Sequence, residues 1–197
     1  IHVYKSEEDL MADPTVDIVL VATPNDVHKG VVIRALEAGK NAVSEKPVTL
    51  CSADLAEMRA AAEKTGKFFT VHQNRRWDED FLTVKNIMAE GKLGEIFEIK
   101  LCRHNYQWRA DWQTILDCGG GQLLNWGPHL VDHALQFLEC PVKELWSDLA
   151  IVASRGDADD PGTIVFEGEN GRVAGVEISG GAALGDPVDA VRGSRGT

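Results

Sequence analysis

The spacing of apolar residues in roughly the first seventy positions most limits how this chain can fold. A continuous apolar run follows Asp17 and ends at Ala22, and shorter runs recur at 41–44 and 67–72. Between these runs, apolar residues recur at the helical spacings of three and four. Short continuous runs are typical of strands that are covered on both faces of a parallel sheet. The order strand, helix, strand, helix, strand therefore predicts a doubly wound α/β sheet with right-handed crossovers.

Local signals indicate where the first two helices begin and end. Asn25 is a candidate N-cap for the first helix, and Gly39 is a candidate C-terminal residue for it. The second helix is predicted from about Ser52 to Thr65, with Gly66 directly after it.

The pattern changes after Asp78. A helix is predicted over roughly 79–90, and residues 96–101 then alternate apolar and charged side chains, with Phe97 among the apolar ones. Such a strand turns one face to water or to a partner. Two further strand-like runs flank Asn170-Gly171, and Asn-Gly is the strongest short signal for a hairpin. The second half is therefore predicted to be a mostly antiparallel sheet with helices on one face.

Composition excludes several classes of protein. The net charge of −11 over 197 residues argues against a nucleic-acid surface. No apolar run approaches the roughly 20 residues that span a bilayer, and the first residues lack the pattern of a signal peptide, so we expect a cytoplasmic protein. The four cysteines are scattered without a C-x-x-C pair, which favours buried reduced thiols over a disulfide or a structural metal.

Four short motifs follow the predicted strands or precede a later helix. They are residues 22–28, Glu45-Lys46-Pro47, residues 73–78 and the glycine-rich residues 119–129. In order and spacing they resemble the motifs of the Gfo/Idh/MocA oxidoreductases, over roughly residues 4–178. The resemblance implies an enzyme that depends on NAD or NADP and acts on sugars or inositols.

The resemblance also implies a division into two domains. Residues 1–76 would be the C-terminal part of a Rossmann-like dinucleotide-binding domain, and 77–197 an α+β substrate and oligomerisation domain that is incomplete at its C-terminus. No G-x-G-x-x-G occurs anywhere in the chain, although the pyrophosphate-binding turn belongs to the first βαβ unit of such a fold. We therefore expect an N-terminally truncated piece that holds the nicotinamide end of the cofactor site and lacks the phosphate end.

Three residues are the candidates for catalysis. Lys46 follows a strand at the sheet edge where ligands gather, and the next residue, Pro47, restricts its backbone. A cation there could stabilise a developing alkoxide, although a lone lysine is also compatible with a solvated surface charge. His129 matches the catalytic histidine of the family and can exchange a proton near neutral pH. Asn125 stands where many family members have aspartate, so it can only hydrogen-bond, or it simply begins a helix.

Further residues are predicted to bind the cofactor. Thr23, Pro24, Asn25 and His28 match family positions that line the ribose and nicotinamide, and Glu45 and Lys46 are assigned to the same site. Simpler roles stay open, since Asn25 could cap a helix and His28 could be a satisfied histidine on a helix surface.

The substrate is predicted to contact Asn74, Arg75 and Asp132. Arg75 is equally compatible with an ion pair, and Asp132 with positioning of its neighbours. The spacing of His129, Asp132 and His133 is also compatible with a metal site, but the resemblance favours nicotinamide chemistry without a metal. We expect His133 to pack with Trp126 or Phe137. Two loop tryptophans, Trp108 and Trp112, could stack on a sugar or cover a core.

The predicted function is hydride transfer between a sugar, polyol or inositol hydroxyl carbon and NAD or NADP. The expected partners are a small-molecule substrate and, through the second-domain sheet, further copies of the chain, with no nucleic acid and no membrane. The alternatives are a nonenzymatic sugar or nucleotide sensor and a fragment that is inactive alone.

Overall fold

The structure is a computed structural model that describes residues 1–197. It divides into two units, Ile1–Gln73 and Asn74–Thr197. None of its helices combines the length and the apolar character that crossing a membrane requires.

The first unit contains three parallel strands in the spatial order β1-β2-β3. The strands are β1 Ile18–Val21, β2 Asn41–Ser44 and β3 Phe69–Val71, and the helices are α1 Glu7–Ala12, α2 His28–Glu37 and α3 Ser52–Thr65. Each connection between neighbouring strands carries one helix, α2 and then α3. The predicted alternation of strands and helices is confirmed.

The ends of α2 and α3 confirm one local prediction and correct another. Gly66 adopts the left-handed conformation (φ 65°) directly after α3, as the predicted C-terminal glycine should. The prediction that Asn25 caps the first helix is wrong. Asn25 begins a 3-10 turn, Asn25–Val27, and the residue that precedes α2 is Val27. The turn is closed by the Val27 N–H, which donates to the Pro24 carbonyl at 3.2 Å.

The core of the first unit lies on one face of its sheet. Val19 and Val21 are buried together with residues of α2 and α3, namely Val31, Val32, Ala35, Leu36 and Met58. The prediction that β1 is covered on both faces is wrong within this chain, because Ile18 and Leu20 are 58% and 59% exposed. Since α2 and α3 contribute to the same core, they cover only the face that carries Val19 and Val21.

The second unit is built on a five-stranded sheet in the order β5-β6-β7-β4-β8. The strands are β4 Ile96–His104, β5 Val142–Leu149, β6 Pro161–Gly168, β7 Val173–Ser179 and β8 Asp189–Gly193, and the helices are α4 Glu79–Ala89, α5 Gln122–Asn125 and α6 Gly127–Leu138. Only β4 and β7 pair in parallel. The prediction of a mostly antiparallel sheet is confirmed.

The predicted hairpin is confirmed, whereas the predicted position of Phe97 on its strand is wrong. The hairpin of β6 and β7 turns at Gly171, which has a positive φ of 81°, as the Asn-Gly signal predicts. Phe97, placed with the apolar face of its strand by sequence alternation, is instead 53% exposed. The register of β4 against β8 shifts between Ile96 and Glu98, and this irregularity breaks the simple alternation.

The core of the second unit forms where α6 packs on the central strands. Buried side chains from α4, α6 and the sheet meet there, including Phe81, Leu130, Ala134, Phe137, Ile99, Leu101, Val176 and Ile178. All four cysteines are free, but only Cys102 is buried, so the expectation of buried thiols holds for one residue of four.

Two phenylalanines of this unit, one buried and one exposed, provide a matched test of the core. Phe137 is 1% exposed and Phe97 is 53% exposed. Phe137→Ala is expected to lower the free energy of unfolding by about 3–5 kcal/mol, because it leaves a cavity. Phe97→Ala should cost less than about 1 kcal/mol. Urea denaturation followed by circular dichroism checks both values, and equal losses would contradict the assigned core.

Candidate active site

The carboxyl ends of the three parallel strands lie side by side in the first unit. Val21 pairs with Ser44, and Ser44 pairs with Val71, so the residues that follow these three share one edge of the sheet. The Glu45 carboxylate lies 2.7 Å from Nδ1 of His72, which joins the ends of β2 and β3. Ligands of open α/β sheets bind at this edge.

The predicted cofactor residues occupy the same edge. Thr23 and Pro24 follow β1 and are exposed, whereas Asn25 is buried. Glu45 and Lys46 follow β2 and are half-buried. The parallel pairing thus brings the first two predicted segments together within this unit.

His28 is buried, with 1% of its surface exposed, and it ties these two segments to each other. Its Nδ1 lies 2.8 Å from the Pro47 carbonyl oxygen, and its Nε2 lies 2.9 Å from the Thr23 carbonyl oxygen. A carbonyl oxygen only accepts hydrogen bonds, and a neutral imidazole has a single N–H. The ring nitrogen that carries the proton can therefore donate to the carbonyl beside it. His28 is not on the helix surface, and both its nitrogens are engaged by backbone.

In the second unit, Asn125 and His129 lie one helical turn apart. Asn125 is the last residue of α5, and His129 lies in the first turn of α6, where it is 4% exposed. The His129 ring meets the Trp126 ring edge-on, with centroids 5.9 Å apart. His129 is thus buried at the start of α6, against the Trp126 ring.

A glycine run and a distant aspartate position the start of α5. A Cβ on Gly120 would lie 2.7 Å from the carbonyl oxygens of Gln113 and Ile115, so only glycine fits there. The Asp159 carbonyl accepts from the Gln122 N–H at 2.9 Å, and its carboxylate accepts from the Leu123 N–H at 2.8 Å. Burial raises the pKa of Asp159. Sequence analysis missed Asp159 because it lies 36 residues from Leu123 with no periodic relation to it.

A polar cavity adjoins Asn125 in the second unit. Its lining offers amide, guanidinium and carboxylate groups, from Gln107, Arg109, Gln113, Gln122, Asn125 and Asp159. Such groups can donate to and accept from hydroxyls. None of these residues except Asn125 was assigned to the site from the sequence, because they come from three separate segments, 107–113, α5 and the residues before β6.

Asp132 is held by Arg76, which sequence analysis did not assign to the site. Arg76 contacts both carboxylate oxygens of Asp132, at 2.8 and 2.6 Å, and Gln136 donates to the same carboxylate at 3.0 Å. Burial alone would raise the pKa of Asp132, but the Arg76 guanidinium holds that pKa below its usual value. Asp132 therefore remains ionised and acts as an anchor for the loop that carries Arg76.

His133 and Arg75 also make contacts within the second unit. The His133 ring stacks on Phe81 at 4.1 Å and lies 6.4 Å from the Phe137 ring, which confirms the predicted packing against Phe137. Its Nε2 lies 3.0 Å from the Arg75 carbonyl, and burial lowers the pKa of His133. Arg75 pairs with Asp78 at 2.6 Å and covers the Trp126 ring at 4.6 Å. Asp132 and His133 are thus both engaged by protein partners.

The remaining candidates lie on loops. Asn74 is exposed at the start of the 3-10 turn Asn74–Trp77. Trp108 is 60% exposed and its ring lies under the Arg155 guanidinium, 4.6 Å from the ring centre. Trp112 is half-buried in a second short turn. Of the two tryptophans, Trp108 presents more ring surface to solvent.

Comparison with known families accounts for both units. Residues 1–73 match the model of the oxidoreductase family with an NAD-binding Rossmann fold, and residues 81–197 match the GFO/IDH/MocA C-terminal domain. The chain belongs to the Gfo/Idh/MocA oxidoreductase family.

Similar proteins include both curated relatives and solved structures. The uncharacterized oxidoreductase YdgJ of Escherichia coli is 39% identical over 144 residues, which is 72% of this chain and 42% of YdgJ. The scyllo-inositol 2-dehydrogenase (NADP(+)) IolW of Bacillus subtilis is 32% identical over 136 residues, or 68% of this chain and 38% of IolW. An NAD-binding protein from Listeria innocua superposes with a TM-score of 0.93 at 40% identity, covering 97% of this chain and 57% of that one. The chain thus spans about half or less of the length of these family members.

The double contact of His28 yields a prediction for the first unit. His28→Ala should lower the free energy of unfolding by about 2–4 kcal/mol, since it leaves a cavity and a backbone carbonyl without its donor. The matched control is His2→Ala, at an exposed position, which should cost less than about 1 kcal/mol. Chemical denaturation measures both. Unchanged stability in His28→Ala would refute the bridge.

Proposed function

We propose that the protein to which this chain belongs transfers a hydride between a sugar, polyol or inositol hydroxyl carbon and NAD or NADP. The observation that carries the proposal is the strand-end position of Lys46 beside Thr23 and Pro24, in a chain whose family consists of oxidoreductases. The printed activity of the relative IolW, on scyllo-inositol, supports a cyclic polyol as substrate class.

The nicotinamide side of the cofactor site is proposed to consist of the residues that follow β1 and β2, namely Thr23, Pro24, Asn25, His28, Glu45 and Lys46. The exposed Thr23 and the Glu45 carboxylate suit ribose hydroxyls, because one can donate and both can accept hydrogen bonds. His28 contributes through the backbone of Thr23 and Pro47, whose carbonyls it holds. The donor set therefore fits the ribose and nicotinamide of NAD, which when bound supplies the hydride acceptor.

His129 is proposed to remove the hydroxyl proton as the hydride leaves the neighbouring carbon. A base must lie within about 2.6–3.2 Å of the hydroxyl oxygen to do so. Lys46 is proposed to donate to the same oxygen and to stabilise its developing negative charge. Asn125, one turn before His129, orients substrate or imidazole by hydrogen bonding, since its amide is neutral.

Asn74, Arg75 and Asp132 are proposed to line the substrate side. The small polar cavity beside Asn125 offers amide, guanidinium and carboxylate groups that can pair with a hydroxyl group of the substrate. Asp132 would act mainly through Arg76, to which both of its oxygens are bound.

A nonenzymatic sugar or nucleotide sensor is the second candidate. The observation that favours it is Asn125, because a neutral amide cannot stabilise a protonated His129 as a carboxylate would. A sensor would bind polyol or nucleotide without oxidising either.

Self-association is proposed through the sheet of the second unit. Trp146, Val165 and Gly175 lie in one row on the face opposite the buried Ile164 and Phe166, and Trp146 is 58% exposed. The helix α6 packs against the other face. An exposed tryptophan on an open sheet face is typical of an interface.

We infer that the protein acts in the cytoplasm. Cys51 is an exposed free thiol, and such a thiol persists in a reducing compartment.

Kinetics test the catalytic assignments. A panel of sugars and inositols is screened by nicotinamide absorbance, with the chain itself and with the product of the longest open reading frame that contains it. His129→Ala should lower kcat on the best substrate by about 10²–10⁴-fold, and Lys46→Met by a similar factor, because each removes a group that acts on the reacting oxygen. The matched controls His2→Ala and Lys64→Met, at exposed positions, should retain turnover.

Full turnover by His129→Ala would show that the assigned base is wrong. Polyol binding by calorimetry, with no nicotinamide reduction or oxidation for any compound, would instead establish the sensor.

The sheet face gives a separate prediction about oligomeric state. Trp146→Glu should shift the molar mass in light scattering towards the monomer, because a charge would be buried at the interface. Trp77→Glu is the control, since Trp77 is 80% exposed and lies in a 3-10 turn outside the sheet. A wild-type monomer, or an unchanged oligomer in Trp146→Glu, would exclude this interface.

A further inference from the structure

Four metal-binding side chains gather on the outward face of the second unit's sheet. Cys102 and His104 are two residues apart on β4, so their side chains share a face. Glu177 on β7 pairs directly with Cys102, and Asp186 lies in the segment between β7 and β8. One ligand atom each from Cys102, His104 and Asp186 lie within 4.8 Å of one another.

We propose that Cys102, His104 and Asp186 form a binding site for Zn²⁺ or a similar transition metal, with Glu177 orienting His104. Thiolate sulfur, imidazole nitrogen and carboxylate oxygen are the three ligand types that Zn²⁺ takes in proteins. None of these residues belongs to the proposed active site, and the expectation from the sequence was that the chain holds no metal. The cysteine spacing gave no signal, because the ligands come from two segments that are far apart in the chain, β4 and the connection between β7 and β8.

The contacts of the His104 ring indicate which nitrogen would bind the metal. Nδ1 accepts from the Asp186 backbone N–H at 3.2 Å, so the ring proton resides on Nε2. Nε2 lies 3.6 Å from Oε2 of Glu177. A ligating histidine commonly donates its other N–H to a carboxylate, which fixes the ring. His104 is therefore already arranged to bind through Nδ1, where a metal would replace one backbone hydrogen bond.

The exposures of the three side chains and the distances between their ligand atoms are compatible with three protein ligands and one water. Cys102 is 1% exposed and the His104 side chain 11%, whereas the Asp186 side chain is 53% exposed. With metal bonds of about 2.0–2.3 Å, ligand atoms in a tetrahedral site lie about 3.5 Å apart, so closure needs a movement of about 1 Å. The exposed Asp186 can supply it. The Cys102 thiol would release its proton to solvent when its sulfur binds the metal.

Lys100 is the competitor for this site. Its Nζ lies 3.1 Å from a carboxylate oxygen of Glu177 and 3.1 Å from one of Asp186. A cation thus already neutralises the two carboxylates, and a metal ion would displace the ammonium from Asp186. Removal of the Lys100 charge should therefore strengthen metal binding, whereas a purely structural ion-pair network predicts no such gain.

The test uses the whole chain after treatment with a chelator and exchange into chelator-free buffer. Titration with Co²⁺ should give one ion per chain and a thiolate-to-cobalt charge-transfer band, and calorimetry should give one Zn²⁺ per chain. Cys102→Ser should abolish the band and His104→Ala should weaken binding at least about 100-fold. Glu177→Gln should weaken it about tenfold. Lys100→Met should tighten it several-fold.

Matched controls separate this site from adventitious thiols. Cys140→Ser and Cys118→Ser remove the two half-buried cysteines and should leave the cobalt band unchanged. If Cys102→Ser, at a buried position, fails to fold, the wild-type stoichiometry and His104→Ala still test the site. Absence of a stoichiometric band in the wild type overturns the proposal, as does a band that survives Cys102→Ser in a folded variant. No nicotinamide or sugar enters these measurements, so they are independent of the proposed function.

Discussion

Parallel pairing of β1, β2 and β3 is the constraint on which the cofactor side of this molecule depends. The register sets Val21, Ser44 and Val71 in one row, and every predicted cofactor residue follows one of the first two of these strands. The strands are only four, four and three residues long. Additional links therefore matter at their ends, and His28 supplies one by holding the carbonyls of Thr23 and Pro47.

In the second unit, contacts at the start of a helix position the catalytic candidate His129. His129 lies in the first turn of α6, and the residues before that turn are fixed by Asp159 and by glycines that approach neighbouring backbone. Farther along α6, Asp132 binds Arg76. Polar contacts thus position one side of α6. On its other side, Leu130, Ala134 and Phe137 pack against the sheet.

Sequence analysis predicted local structure well wherever a local signal exists. The bounds of β2 and α3 agree with the predictions because Gly66 and the change of apolar period mark them. Predictions failed where tertiary packing decides. Asn25 lies in a 3-10 turn and does not cap α2, and Ile18 and Phe97 are exposed although both belong to apolar patterns.

The residues of the candidate active site were likewise predictable only where a short contiguous motif marks them. The resemblance to the family supplied Lys46, Asn125 and His129 as candidates, because those motifs are contiguous in sequence. Asp159 and the partnership of Arg76 with Asp132 were not predictable, since they join residues 36 and 56 positions apart. Such contacts depend on the folded topology and leave no periodic trace in the chain.

We propose that Lys46 and His129 act on one substrate hydroxyl oxygen in the full-length oxidoreductase. A crystal structure of the longest gene product that contains this chain, bound to oxidised nicotinamide cofactor and its best polyol, tests that claim most directly. The account predicts one substrate hydroxyl oxygen within about 2.6–3.2 Å of both Lys46 Nζ and a ring nitrogen of His129. A bound polyol whose reacting hydroxyl contacts neither group, or only one of them, would contradict it.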